Sequence, residues 1–265
     1  MLISLLVPSR ERPELIKRFM ESLWTMTLHK KDVEILFILD DDDTATHANI
    51  TSICASYQSQ YHNIRILTRP RSEFLNEDYY NFAARQAVGD LIWVLADDLE
   101  IVAPRWDETV VQEATNFAVK YPDKIFCISL LDNTKPPSHR LPKFPCFPMF
   151  TKECLPALGG WILHPKVPTW GCDFVSYCIF EPMGRLLQLH NKVFVNHISW
   201  HTKQVGIDHI NHRIGDIFNR LKMVPHHNTD RIIAEEVPNI RMELREKIAN
   251  FYNRTAKEMF KENEQ

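Results

Sequence analysis

The chain has 265 residues, of which 45% are hydrophobic and 25% are charged. This length fits one α/β domain, or one domain with an extension, and it is sufficient to bury a full core. The formal net charge of −3 excludes a dedicated nucleic-acid binder, which would carry a basic excess to neutralise phosphates.

Apolar runs and helical patterns alternate along the first half of the chain. The predicted strands there are Leu2–Val7, Val33–Leu39, Ile64–Leu67, Leu91–Leu95 and Lys124–Leu130. Helices are predicted from Pro13 to Trp24, around residues 50–57, over Tyr79–Val88 with Gly89 as its C-cap, and over Trp106–Val119. Strands separated by such helices imply right-handed crossovers and a mostly parallel sheet.

In the second half of the chain, predicted strands and helices alternate less regularly. Five prolines within Asn133–Pro148 exclude a helix and a central strand there, so this segment is predicted to be a loop. The elements predicted after the loop are regular structure over Phe150–Leu158, a helix over Cys172–Leu187, a strand over Leu189–Val195, and helices over Asp208–Leu221 and Ile240–Phe260.

Polar residues follow three of the predicted strands. Pro8-Ser9-Arg10 follows the first strand, Asp40–Asp43 follows the second, and Asp97-Asp98 follows the fourth. In parallel sheets ligands bind beyond the carboxyl ends of the strands, so these residues are expected on one rim. Clustered carboxylates repel one another unless a cation neutralises them, and a nucleoside diphosphate chelated through Mg²⁺ or Mn²⁺ fits such a rim.

Simple structural interpretations of the same residues stay open. Asp42 or Asp43 could belong to a solvated turn that caps the next helix, and Asp97-Asp98 could be a turn as well. Arg10, Arg69 and Arg71 are the candidate cations for a base or a phosphate, although a surface role suits Arg69 equally.

Several segments resemble family-2 glycosyltransferases in their order and spacing. These are Ser4–Arg10 before a helix, Glu34–Asp40, Asn81–Arg85 followed by Gly89–Ile92, and Leu95–Asp98 followed by Ala103–Trp106. The resemblance covers roughly residues 1–210 and includes the position of the DXD motif, where Ala96 stands in place of the first aspartate.

The resemblance implies an α/β fold of the GT-A (Rossmann-like) type, with a mostly parallel sheet flanked by helices and a C-terminal helical extension. It implies a domain over residues 1–225, with a nucleotide half over 1–132 and an acceptor half over 149–225, followed by the extension over 226–265. The implied partners are a nucleotide-diphosphate sugar of UDP or GDP type and a carbohydrate or other hydroxyl acceptor, with Mn²⁺ or Mg²⁺ as cofactor.

The resemblance also implies roles for individual residues. Asp98 would bind the metal, and Asp97 would contact the ribose. The other residues assigned to the nucleotide sugar are Pro8, Ser9, Arg10, Asp40, Arg71, Asn81 and Trp161. Trp161 or Trp170 could stack on a sugar, although core packing accounts equally well for one of them.

An inverting transferase needs a carboxylate that deprotonates the acceptor hydroxyl. In the family this residue begins a helix after the mid-chain loop, and Asp173 in Trp170–Asp173 fits best. The alternative is a first-turn carboxylate that only favours the helix dipole.

Seven of the twelve histidines lie between His190 and His227. These histidines are not accompanied by the cysteine pair that would favour a zinc site. The resemblance implies a histidine near the metal or diphosphate, and His201 is preferred over His197, which is expected to face the core. A surface or core role for either remains open.

The six cysteines form no CxxC pair, which favours buried thiols in a reducing compartment. The first predicted strand begins almost at Met1, which leaves no room for a signal peptide, and no apolar run approaches the roughly 20 residues of a membrane span. We therefore expect a cytoplasmic protein without a transmembrane segment.

Two alternatives to a glycosyltransferase stay open from the sequence. A nucleotidyltransferase would share the α/β layout and the metal-bound nucleotide, but residues 8–12 contain no glycine for a phosphate loop. A non-catalytic nucleotide-sugar-binding protein is the other alternative, since Ala96 replaces the first DXD aspartate.

Overall fold

The computed structural model describes residues 1–132, 145–198 and 225–262. The elements of the first segment are Ile3–Ser9 (β1), Pro13–Met26 (α1), Val33–Asp40 (β2), Thr44–Ala55 (α2), Asn63–Arg69 (β3), Phe82–Ala84 (α3), Leu91–Val94 (β4), Leu99–Ile101 (β5), Trp106–Lys120 (α4), Cys127–Ser129 (β6) and Leu131–Asp132 (β7). The later elements are Met149–Thr151 (β8), Cys154–Ala157 (α5), Cys172–Phe180 (α6), Leu186–Gln188 (β9), Phe194–His197 (β10), Pro225–Glu235 (α7) and Val237–Glu262 (α8). The predicted helix over Asp208–Leu221 lies outside the described residues.

The main sheet has seven strands in the order β3-β2-β1-β4-β8-β6-β9. The first four of these are mutually parallel, whereas β8 is antiparallel to both of its neighbours. A small sheet of order β5-β10-β7 lies beside it. The predicted α/β fold with a mostly parallel sheet is confirmed.

Side chains of the central strands alternate between two apolar layers. In β1, Ile3, Leu5 and Val7 pack with α1, α2 and α4, whereas Leu6 packs with α6 on the opposite face. This period of two is the pattern of a strand covered on both faces, which explains why β1 and β2 are almost continuously apolar.

The C-terminal helices belong to the second of these layers. Ile232 of α7 and Val237 and Leu244 of α8 are buried in the same cluster as Val175 and Ile179 of α6. The boundary predicted at residue 226 stays a prediction. In the part of the chain that the structure describes, no helix combines the length and apolarity that a membrane crossing requires.

The helix predicted over Tyr79–Val88 is shorter than expected. A π-helical turn over Asn76–Asn81 leads into α3, which ends at Ala84. The backbone N–H of Val88 instead bonds Glu34 Oε2 at 3.0 Å, and that of Gly89 bonds Ser4 Oγ at 2.8 Å.

Gly89 is therefore not the helix C-cap that the sequence predicted, and it does not have a positive φ. A Cβ atom there would lie 2.6 Å from the backbone nitrogen of Ser4, so the close approach to β1 is what requires glycine.

The helix predicted over Cys172–Leu187 also ends early, at Phe180. A short 3₁₀ turn over Glu181–Met183 follows, Gly184 adopts a left-handed conformation with φ 69°, and the chain then enters β9. The strand predicted over Leu189–Val195 is replaced by β9 and β10 on either side of a turn. Pro182 and Gly184 account for the early end.

Candidate active site

The carboxyl ends of β3, β2, β1 and β4 meet at one side of the sheet, because these four strands are parallel neighbours. We call this side the carboxyl rim. It brings together the residues at or just beyond the ends of the four strands, namely Pro8, Ser9 and Arg10 for β1, Asp40–Asp43 for β2, Arg69 and Arg71 for β3, and Asp97 and Asp98 for β4. The convergence predicted from the strand ends is therefore present.

Asp40 is the centre of one end of the rim. It is only 2% exposed, and its two carboxylate oxygens accept hydrogen bonds from different side chains. Arg10 Nη1 donates to Oδ2 at 2.8 Å, and the hydroxyl of Tyr79 donates to Oδ1. Asp40 is thus fixed in orientation by the two residues that touch it.

Three arginines supply the positive charge of this end. Arg10 also forms a bidentate pair with the exposed Asp42 and lowers its pKa, and the charge of Arg71 acts on Asp42 in the same direction. Arg69 is largely buried and lies over the ring of Tyr79, with its guanidinium carbon 4.6 Å from the centroid. Its Nη1 is buried and has no hydrogen-bond partner among the described residues.

Asp43 has the structural role that the sequence left open. Its side chain caps α2 by accepting from Thr46 N at 3.0 Å, and it also accepts from Glu11 N at 2.8 Å. These bonds tie the loop after β1 to the loop after β2 and so shape the rim.

The pair Asp97-Asp98 forms the other end of the rim. Asp97 is fully buried, accepts from Ser9 Oγ at 2.6 Å, and lies 2.8 Å from Arg12 Nη2. Arg12 Nη1 is 4.0 Å from Asp98 Oδ2. Burial raises the pKa of Asp97, and the charge of Arg12 and the bond from Ser9 oppose that rise.

Arg12 is a site residue that the sequence analysis missed. It is the N-cap residue of α1, so it places a cation at the end of the helix where the dipole disfavours one. This mismatch is a signal in the sequence that a counter-charge lies nearby, and Asp97 is that counter-charge.

His197 lies beside the acidic pair. Its Nε2 is 3.3 Å from Asp98 Oδ2, and its ring meets that of Phe147 edge-on at 5.2 Å. The expectation that His197 faces the core of the sheet is therefore wrong, because the pairing of β10 with β5 directs it to Asp98. His201, the predicted metal ligand, lies outside the described residues.

Asn81 ties the segment after α5 to the first part of the chain. Its Oδ1 accepts from the backbone N–H groups of Ile162 and Leu163 at 2.9 and 3.0 Å. Its Nδ2 donates to Leu163 O and to Glu77 Oε2, both at 2.8 Å. All four hydrogen-bonding positions of this amide are occupied by the protein.

The two candidate tryptophans differ in exposure. Trp161 packs against the second apolar layer, and its ring lies 5.3 Å from that of His164. Trp170 is 47% exposed and lies two residues before Cys172, the first residue of α6. The exposed indole is the one that can offer a face to a ligand.

Asp173 lies in the first turn of α6, and its Oδ1 accepts from Phe174 N at 2.8 Å. Tyr80 connects this helix start to the rim. Its hydroxyl donates to Leu95 O at 2.7 Å, two residues before the acidic pair, and the residue is buried in the same apolar cluster as Val175 of α6. Burial raises the pKa of Tyr80 well above its usual range.

The described residues contain no group of three His, Cys, Asp or Glu side chains that could hold a metal without a substrate. They do contain a carboxylate and an imidazole side by side, in Asp98 and His197. Metal sites that act on phosphates commonly use only one or two protein ligands, and substrate oxygens complete the coordination. The pair fits that arrangement.

The sequence of the chain was compared with family models. The model described as Glycosyl transferase family 2 matches residues 4–149, which is more than half of the chain. The chain belongs to glycosyl transferase family 2. The matched segment runs from the second residue of β1 through β7 and includes the strand ends of the carboxyl rim, so this glycosyltransferase has its acidic pair within the family's own region.

Several solved structures share the fold of this chain. A mannosyltransferase from Pyrobaculum calidifontis, in complex with GDP-Man and Mn²⁺, is 13% identical over 96% of this chain and 79% of its own, with a TM-score of 0.56. S. aureus TarS 1-349 in complex with UDP-GlcNAc is 14% identical over 89% and 71%, with a TM-score of 0.54. GalNAc-T7 with UDP, GalNAc and Mn²⁺ is 16% identical over 74% and 44%, also with a TM-score of 0.54.

At these identities the solved structures establish the GT-A fold of the glycosyltransferase and nothing finer. A comparison with curated protein sequences gives no match.

Proposed function

We propose that this glycosyltransferase moves a sugar from a UDP- or GDP-type nucleotide sugar to an acceptor hydroxyl, with inversion at the anomeric carbon. The observation that carries the proposal is the division of the carboxyl rim into two charged ends. Asp40 with its arginines forms one end, and the acidic pair Asp97-Asp98 forms the other. A nucleoside and a diphosphate are the two parts of a donor that such ends would bind.

The nucleoside is assigned to the end around Asp40. A carboxylate held by Arg10 and Tyr79 can accept an N–H from a base while its position stays fixed. The buried Nη1 of Arg69 supports the assignment, because an unsatisfied guanidinium nitrogen costs free energy until an oxygen atom bonds it. The exposed Arg71 offers a further cation at the same end, and Pro8 and Ser9 at the end of β1 are assigned to the donor as well.

The diphosphate is assigned to the end around Asp98. Asp98 and His197 would hold the metal, with His201 as a further predicted ligand, while Asp97 is held by Ser9 and Arg12. An imidazole nitrogen suits Mn²⁺ better than Mg²⁺, which prefers oxygen ligands. A divalent ion bound there neutralises negative charge on the departing diphosphate.

The chemical step is assigned to Asp173. The acceptor oxygen attacks the anomeric carbon, its proton passes to the Asp173 carboxylate, and the bond from that carbon to the diphosphate oxygen breaks with its electrons leaving on the diphosphate. The N–H of Phe174 donates to Oδ1 of Asp173 and so restrains the orientation of the carboxylate.

The metal assignment is tested by calorimetric titration of UDP and GDP with and without Mn²⁺. Asp98→Asn is expected to lose most of the increase in affinity that Mn²⁺ gives to the wild type. Asp41→Asn, which changes an exposed carboxylate of the same rim, serves as the matched control and is expected to keep it. An Asp98→Asn protein with the metal dependence of the wild type would remove Asp98 from the site.

The base assignment is tested on donors that the wild type hydrolyses. Asp173→Asn is expected to bind the donor normally and to lose transfer by about 100-fold or more, whereas Glu181→Gln at the far end of α6 changes little. NMR of the anomeric proton of the product reports the stereochemistry. A retained configuration would exclude the role given to Asp173.

The same assays separate the alternatives. A binding protein without catalysis would bind nucleotide sugars and neither hydrolyse nor transfer them. A nucleotidyltransferase would release pyrophosphate from a nucleoside triphosphate, an activity that membership of family 2 does not favour.

A further inference from the structure

The loop between β1 and α1 contains a residue with an uncommon backbone conformation. Glu11 has a φ of 57°, in the left-handed region that residues other than glycine rarely adopt. Among the residues that the structure describes, Arg105 and Lys124 are the only other non-glycine residues with a positive φ. Backbone strain of this kind persists where the surroundings impose it, and it is concentrated at functional sites.

Glu11 stands between two arginines that serve opposite ends of the carboxyl rim. Arg10 Nη1 donates to Asp40 Oδ2 at 2.8 Å, at the end of β2. Arg12 Nη2 lies 2.8 Å from Asp97 Oδ1, beyond the end of β4. In the sheet β2 and β4 lie on either side of β1, so the two side chains diverge from one short loop.

This divergence requires a bend between the two arginines. In an extended chain, side chains two residues apart project in the same direction, so Arg10 and Arg12 could not separate without one. Arg12 is poorly suited to make the bend, because it precedes Pro13 and is restricted to extended conformations. It has a φ of −135°, and the left-handed conformation therefore falls on Glu11.

The backbone of Glu11 is held in this conformation by Asp43. The N–H of Glu11 donates to Asp43 Oδ2 at 2.8 Å. Asp43 is only 1% exposed and is itself fixed as the N-cap residue of α2. A rigid acceptor therefore sets the position of the bend.

The side chain of Glu11 contributes much less than its backbone. It is 63% exposed, and its carboxylate lies 3.2 Å from Arg10 Nη2. Ion pairs at such exposed positions have little effect on stability, because solvent screens them. The conformation of Glu11 is therefore the feature that separates the two arginines.

We propose that Glu11 is a positioning residue, whose left-handed backbone directs Arg10 to the nucleoside end of the rim and Arg12 to the acidic pair. The bend thereby keeps both ends in the arrangement that binds the nucleoside and the diphosphate of one donor together. This inference rests on the proposed function, because its ligand is the nucleotide of the donor. It goes beyond that function by adding a residue that acts on the donor through its two neighbours.

The test separates the backbone of Glu11 from its side chain. Glu11→Gly removes the side chain but adopts the left-handed conformation readily, whereas the β-branched side chain of Glu11→Val opposes it. Calorimetric titration with UDP and GDP in the presence of Mn²⁺ measures Kd. We expect Glu11→Gly to bind within about twofold of the wild type and Glu11→Val to bind about tenfold more weakly, because only molecules with the competent backbone bind. If valine prevents folding, the β-branched Glu11→Thr takes its place.

Arg105→Val is the matched control. Arg105 has the same φ of 57°, its side chain is 62% exposed, and its N–H donates to Met26 O at 2.8 Å at the other end of α1. Arg105→Val is expected to lose thermal stability, as Glu11→Val does, and to keep the Kd of the wild type. Equal weakening of binding by both valine variants would show general destabilisation and overturn the positioning role. Equal weakening by Glu11→Gly and Glu11→Val, or an unchanged Kd in Glu11→Val, would overturn it as well.

A double-mutant cycle in thermal stability tests the same role without a ligand. Asp97→Asn removes the charge that Arg12 meets. If Glu11 directs Arg12 to Asp97, Glu11→Val lowers Tm by less in the Asp97→Asn background than in the wild type. An equal loss in both backgrounds would remove the positioning role. A wild type that binds neither UDP nor GDP would remove the proposed function instead, and the cycle would still decide whether Glu11 positions Arg12.

Discussion

The hydroxyl of Tyr79 offers a sharp test of the nucleoside end of the carboxyl rim. This hydroxyl donates to Asp40 and accepts from the backbone N–H of Ser72 at 3.0 Å. Tyr79→Phe removes that one oxygen atom and keeps the ring under Arg69. The variant therefore separates the orientation of Asp40 from the packing of the arginine.

The size of the effect follows from these contacts. A hydrogen bond to a charged group contributes about 1.5–3 kcal/mol, and the N–H of the partly exposed Ser72 can turn to water instead. We expect the free energy of unfolding to fall by about 1–3 kcal/mol, which lowers Tm by roughly 2–10 °C for a chain of this size. Because Asp40 keeps Arg10 but loses one of its two restraints, Kd for the nucleotide is expected to rise about tenfold.

The effect is also expected to be independent of pH. Burial, reinforced by the bond to Asp40, raises the pKa of Tyr79 to about 12. The phenol therefore stays protonated and donates between about pH 6 and pH 9, and the ratio of variant to wild-type Kd is constant over that range.

Calorimetric titration with UDP and GDP measures the change in Kd, and thermal unfolding measures the change in stability. Tyr121→Phe is the control, because its hydroxyl donates to Gly184 O at 2.8 Å, away from the rim. If Tyr79→Phe loses stability but binds the nucleotide with unchanged Kd, Asp40 does not contact the nucleoside. A Kd ratio that varies with pH would contradict the protonation argument.

Two further predictions concern the frame that supports the rim. The side chain of Asp123 is fully buried and pairs with Arg185 through contacts of 2.5 and 2.9 Å. Asp123→Asn is expected to lower the free energy of unfolding by about 3–5 kcal/mol, because it leaves the buried Arg185 without its counter-charge. Burial opposes the ionisation of Asp123, but the hydrogen bonds from Arg185 and Ile125 outweigh burial and lower its pKa. The difference in unfolding free energy between wild type and variant should therefore be full above about pH 4 and shrink as pH falls through the lowered pKa. Chemical denaturation at several pH values measures this difference, and a constant value down to about pH 2 would count against the argument. Gly89→Ala places a Cβ atom 2.6 Å from Ser4 N and 2.8 Å from Leu91 O. The midpoint of urea unfolding is therefore expected to fall by an amount equivalent to about 1–3 kcal/mol. An unchanged midpoint would show that the backbone around Gly89 can move away from β1 and β4 at no cost.

The central strands could be predicted from the sequence, because strands covered on both faces are continuous apolar runs. The strand predicted over Lys124–Leu130 illustrates the limit of that rule. Only Cys127–Ser129 forms a strand, since Lys124 has a positive φ of 54° and Asp123 turns to pair with Arg185. The contact that turns Asp123 comes from Arg185, 62 positions away in the sequence, so the apolar pattern does not contain it.

The residues of the candidate site were also only partly predictable from the sequence. The residues on strand ends could be placed on one rim from the parallel order of the strands alone. Arg12 and His197 could not, because Arg12 meets Asp97 across 85 positions of sequence, and His197 reaches Asp98 only through the pairing of β10 with β5. These contacts depend on the tertiary fold and leave only indirect signals in the local sequence.

The position of β8 has a consequence for how the chain can be divided. This strand begins at Met149, the last residue of the family match, yet it lies between β4 and β6 in the middle of the sheet. A fragment that ended there would leave β4 as an open edge next to the acidic pair, and it would remove the backbone that Asn81 holds at Ile162 and Leu163. The matched segment is thus not expected to fold on its own, because the sheet and the carboxyl rim are completed by residues that follow it in the chain.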